Sequence, residues 1–85
     1  MKPTIGRIVH YIVNEPDLVH FPGAPNGNIR AGTILPAIIT ATFSDTCANL
    51  KVFGDHSADA WITSRNCPDE GVEPIPGQWF WPPRV

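Results

Sequence analysis

Hydrophobic and polar positions along the chain fall into short stretches separated by long segments rich in Pro and Gly. The first stretch, Ile5-Gly6-Arg7-Ile8-Val9-His10-Tyr11-Ile12-Val13, is rich in β-branched and aromatic residues and predicts a strand. Side chains alternate across a strand, so Ile8, His10 and Ile12 share one face while Arg7, Val9, Tyr11 and Val13 share the other. Leu35 to Phe43 forms the second stretch. Its apolar run is nearly continuous, which predicts burial on both faces, with Pro36 marking its start or an unpaired edge. Ser44 to Ala48 reads as a hairpin connection. Asn49 to Phe53 follows as a third strand, with Leu50 and Val52 on one face and Lys51 and Phe53 on the other. Gly54 to Asp59 turns the chain into a fourth strand, Trp61 to Arg65. A long acidic and Pro-rich connection, Asn66 to Gly77, leads to a fifth strand over Gln78 to Trp81, which Pro82-Pro83 terminates.

Between the first two strands, residues 14–33 show no helical period and read as one long loop. Loops beyond about 12–15 residues tend to be functional or disordered. Leu18, Val19 and Phe21 interrupt it, and they are expected to tie it to the body or to a second subunit. Five short strands with one early long loop predict a single all-β domain over residues 1–85. The expected form is a small five-stranded antiparallel barrel, SH3-like, with long Pro/Gly-rich loops. Closure of such a barrel removes exposed sheet edges.

Composition supports this picture. Ten Pro and seven Gly make up about a fifth of the 85 residues, against a usual ~12%. A chain this short buries only about 60–65% of the surface that its unfolded form exposes, so a homo-oligomer is expected. The formal charge is −2 and the basic residues are scattered, which argues against duplex nucleic acid as a partner. No apolar run approaches the ~20 residues that span a bilayer. The N-terminus shows no charged region followed by a long apolar run, so no signal peptide and a cytoplasmic location are expected. Cys47 and Cys67 have no CxxC spacing, and in a reducing compartment they are expected to be free thiols.

Candidate chemistry concentrates at the C-terminal end. In an extended strand Trp79 and Trp81 point the same way, roughly 6.6–6.8 Å apart, which leaves room for a flat ring between them; the alternative is that they belong to the barrel core. Tyr11 and Trp61 are further stacking candidates. Arg7 shares a strand face with Tyr11, Arg84 follows the Trp pair, and either guanidinium suits a phosphate. Backbone amides around Gly23, Asn26, Gly27 and Asn28 are candidates for an anion nest, with residues 21–32 as a cover. His10, His20 and His56 lack the short spacings of a zinc site, so no metal is expected. Cys67 with His56 can be drawn as nucleophile and base, but no signature surrounds either, and no enzyme activity or cofactor is expected. Asp69, Glu70 and Glu73 lie in a Pro-rich loop; a solvated loop is the plain reading, and a contact with a basic host protein is the alternative.

Four segments together resemble a known group. They are Lys2-Pro3-Thr4-Ile5-Gly6-Arg7-Ile8-Val9-His10-Tyr11, Leu35-Pro36-Ala37-Ile38-Ile39, Asn49-Leu50-Lys51-Val52-Phe53 and Pro76-Gly77-Gln78-Trp79-Phe80-Trp81-Pro82-Pro83-Arg84. They resemble short proteins encoded in tailed-phage and prophage genomes, whose pattern reads Gly-Arg-Ile-Val-His-Tyr near the start and Pro-Gly-x-Trp-x-Trp-Pro-Pro near the end. This chain has Phe80 where a polar residue or His is expected. The resemblance implies an origin in an infected bacterial host and carries no assigned activity. Small accessory phage proteins act mostly by binding. The expectation is therefore an anti-defence sponge that sequesters a small anionic ligand, a nucleotide-derived signal of host immunity, at Trp79, Trp81, Arg84, Arg7, Tyr11, Asn26 and Asn28. The alternative is a protein-interaction module, either an inhibitor of a host protein or a minor virion component.

Overall fold

A computed structural model describes residues 2–21, 29–55 and 59–83. Its strands are β1 (Ile8–Ile12), β2 (Ile34–Thr42), β3 (Cys47–Val52), β4 (Ala60–Asn66) and β5 (Trp79–Phe80). They form one antiparallel sheet in the order β4-β3-β2-β1-β5, curled into a half-barrel. The all-β expectation holds, and this strand order is that of an SH3-like barrel.

The alternation expected of β1 is observed in part: Ile12, expected beside Ile8 on the outer face, is buried as well. Val9, Tyr11 and Val13 are sealed inside, and Ile8 on the other face is exposed. Val9 stands opposite Ala37 on β2, and Ala37 stands opposite Val52 on β3. With Leu35, Ile39, Leu50, Ile62 and Trp79 these side chains form one continuous core. Full burial of a side chain of this kind contributes roughly 1.5–3 kcal/mol.

Expectations for two segments need correction. The apolar run of β2 is buried on one face only: Leu35, Ala37 and Ile39 point inward, whereas Ile34 and Pro36 are exposed. Pro36 is also neither at the start nor on an edge. It is the third residue of a central strand, opposite His10. Its carbonyl accepts from the Phe53 N–H at 2.9 Å. Proline has no N–H to return that bond, and β3 ends there, at Val52.

The second correction concerns residues 14–33, which contain a 3-10 helix at Glu15–His20. Asn14 caps it: its Oδ1 accepts from the Asp17 N–H at 3.0 Å, and Asp17 Oδ2 accepts from the Asn14 N–H at 3.3 Å. This reciprocal pair satisfies donors that a helix start leaves orphaned. Pro16 sits in the first turn, where its missing N–H costs nothing. Phe21 and Ile29 anchor the two ends of the connection in the core, and Leu18 packs against it; Val19 is exposed.

Two register shifts shape the sheet, between Ile39 and Ala41 on β2 and between Ala48 and Leu50 on β3. At the second, Thr63 and Ser64 of β4 face the single residue Asn49. Its Oδ1 accepts from Thr63 Oγ1 at 2.9 Å and from the Ser64 N–H at 2.8 Å. Ser64 takes φ 54°, the left-handed region. The extra residue resets the alternation of β4, so that Arg65 stands opposite the fully buried Ala48 and points inward.

Candidate functional site

Arg65, once turned inward, meets two groups from the other end of the chain. Its Nη2 donates to Asp17 Oδ1 at 2.9 Å and its Nε donates to the Tyr11 hydroxyl at 3.0 Å. The Tyr11 hydroxyl donates to Asp17 Oδ2. A buried carboxylate requires such partners, and Asp17 is only 1% exposed. Burial pushes the Tyr11 phenol up to about 12, and its bond to Asp17 adds to the effect. Burial works against the charge of Arg65, but its bonds to Tyr11 and Asp17 outweigh that and raise its pKa above the usual arginine value. This cluster is structural: its atoms satisfy one another and face the interior.

The same geometry decides the fate of the Trp pair. Trp79 has no exposed surface, and its Nε1 donates to the Arg65 carbonyl at 2.9 Å. Trp79 and Trp81 do point the same way, but their ring centroids are 5.3 Å apart with the planes at 84°. They pack edge to face, the arrangement favoured by ring quadrupoles, and no slot for a flat ligand separates them. Trp79 and Tyr11 are therefore corrected from ligand contacts to core residues. Trp81 remains half-buried, and the Arg7 guanidinium lies 5.9 Å from its ring centroid. Arg84, Asn26 and Asn28 lie outside the described residues, as does most of the expected cover, residues 22–28. Trp61 is exposed on the outer sheet face, away from the Trp pair.

What the surface offers instead is a groove of about 480 Å³. One wall is Phe80, Trp81 and Pro82. A second lining segment is Cys67 to Glu70, and Asp45 and Thr46 of the β2–β3 turn also line it. That turn is fixed locally: Ser44 Oγ accepts from the Thr46 and Cys47 N–H groups at 3.2 and 3.0 Å. The Cys67 N–H donates to the Thr46 carbonyl at 3.0 Å and joins the turn to the wall. Phe80 packs edge-on against His10, with centroids 5.4 Å apart.

The groove lining thus combines aromatic and proline side chains with the carboxylates of Asp45, Asp69 and Glu70. Burial pushes the Cys67 thiol up, and Asp69 adds to the effect, so it is a neutral thiol near pH 7. Cys47 and Cys67 are both free. Among the described residues no cluster of three or more His, Cys, Asp or Glu is placed to hold a metal ion, and no helix is long and apolar enough to cross a membrane.

Of the described residues expected to bind ligand, only Trp81 lines the groove. Asp45 and Thr46 carried no such signal. Asp69 and Glu70 did, as an acidic segment suited to a basic protein. No family model matches the chain, and no curated protein or solved structure matches it either.

Proposed function

We propose that this chain is a protein-interaction module whose groove takes an extended, basic segment of a partner protein. The observation that carries this reading is that Trp81 and Phe80 line the same groove as Asp45, Asp69 and Glu70. Aromatic and proline surfaces suit the apolar side chains of an extended segment. Carboxylates in the same lining suit its Lys or Arg side chains, and charge-assisted bonds to such groups are the stronger ones. Because the resemblance is to phage-encoded proteins, the partner would be a host protein that the module inhibits or a neighbouring virion component.

The test is a fluorescence titration with short peptides of Pro, Leu and Arg, with acidic twins, and with cyclic and ADP-ribose-like nucleotides. Saturable binding of the basic peptide alone supports the module. Binding of nucleotides alone would restore the sponge reading, for which Arg7 beside Trp81 speaks. Self-association remains part of the proposal. Ile8, Ile34 and Trp61 are each more than half exposed on the outer sheet face, and sedimentation equilibrium reads whether copies meet there.

A further inference from the structure

We infer that Trp79 is the positioning residue that sets the width of the groove. The inference rests on the groove being the binding site, but its first test needs no ligand. β4 and β5 are the two ends of the sheet order, and among the described residues no strand pairing joins them. The seam between them is crossed by the Trp79 Nε1–H bond to the Arg65 carbonyl, 2.9 Å long. Both groove walls leave from this bond. Cys67 to Glu70 follow Arg65 after one residue, and Phe80 to Pro82 follow Trp79 directly.

Each end of the bond is held from behind. The Arg65 guanidinium is bound to Asp17 and to Tyr11, and its Nη1 donates to the Thr63 carbonyl at 3.1 Å. The Trp79 ring is fully buried and packs edge-on against Trp81, which itself lines the groove. A single donor on a fixed ring therefore meets an acceptor on a fixed strand, and the walls inherit their separation from that contact. Loss of the donor leaves the Arg65 carbonyl without this partner and frees the two walls to part.

The experiment uses Trp79→Phe in a Cys47→Ser background, where alkylation reports on Cys67 in the groove wall. Ile39→Val is the control, since it thins the core at β2 and takes no part in the bonds that hold the seam. Trp79→Phe is expected to speed Cys67 alkylation at least about fivefold and to weaken the basic peptide about tenfold. Ile39→Val is expected to lower the melting temperature and change neither rate nor affinity. An unchanged alkylation rate in folded Trp79→Phe protein would overturn the inference, whatever binds. If Trp79→Phe does not fold, hydrogen exchange of the Trp79 indole proton in the unaltered chain decides. Saturating peptide is expected to slow it several-fold, and peptide that binds without slowing it would overturn the inference. If no peptide binds, the proposed function fails, while the alkylation result still stands or falls by itself.

Discussion

Asp17 and Arg65, 48 positions apart in the chain, meet at 2.9 Å and tie the 3-10 helix to the last turn of β4. This ion pair is asymmetric: the Asp17 side chain is 1% exposed and that of Arg65 is 28% exposed. The two other ion pairs described, Lys2 with Asp45 at 3.8 Å and Lys51 with Asp59 at 3.9 Å, lie on the surface. Exposed pairs of that kind contribute roughly 0–1 kcal/mol. The buried one is the pair whose loss should be felt.

Asp17→Asn removes the charge and keeps the shape. Breaking one partner of a buried pair costs about 3–5 kcal/mol. The part of Arg65 that reaches water lowers this to roughly 2–3 kcal/mol, at the upper end of what a single substitution commonly costs. Urea unfolding is the measurement, and a loss below about 0.5 kcal/mol would mean that the network does not hold the helix to the barrel.

Alkaline pH should weaken the fold through Tyr11. Its folded pKa is raised from 10.0 to about 12, so the folded state holds its proton where the unfolded state has lost it. The contribution is fully present below pH 10 and is lost as pH rises from about 10 through 12. By linkage it is on the order of 2–3 kcal/mol. Tyr11→Phe should flatten that part of the stability curve. Chemical denaturation at pH 9, 10 and 11 checks it, and equal slopes in both proteins would contradict the assignment.

Gly77 occupies the third position of the turn Ile75-Pro76-Gly77-Gln78, closed by the Gln78 N–H to the Ile75 carbonyl at 3.0 Å. Its φ is +92°, and a Cβ there would come within 2.9 Å of Asn14 Nδ2. Pro followed by Gly is the pattern of a type II turn. Gly71 has a similar φ of +82° with nothing within 4 Å of its Cβ position. Gly71→Ala should therefore cost about 1–2 kcal/mol from the backbone alone. Gly77→Ala should cost more, because the Asn14 side chain must shift and its cap bond to Asp17 suffers. Thermal melts of the two variants compare them, and equal losses would remove the contact with Asn14 from the account.

The alternation of β1 and the turn residues were enough to place five strands and much of the core, because Val9, Tyr11 and Val13 fall on one face, where only Arg7 at its outer end is charged and stays exposed. The apolar run of β2 misled because hydrophobicity does not say which face is covered, and Ile34 simply remains exposed. Arg65 was illegible for a different reason. Strict alternation from Ile62 would turn it outward, and only the bulge at Thr63 and Ser64 points it to Asp17. The 3-10 helix did leave a signal, in Asn14 three residues before Asp17 with Pro16 between them. The groove left half of one. Its acidic residues read as a charged loop, but nothing along the chain says that Asp45 and Asp69 sit on one groove with Trp81.

Most direct for the central claim is a titration of the unaltered protein and of Trp81→Ala with a short basic peptide of Pro, Leu and Arg, at two salt concentrations. Saturable binding is expected, weaker by at least about tenfold in Trp81→Ala, a loss of ~1.4 kcal/mol. It should also weaken at higher salt, as screening reaches Asp45, Asp69 and Glu70. Equal binding of an acidic twin peptide, or binding that Trp81→Ala leaves unchanged, would contradict the account.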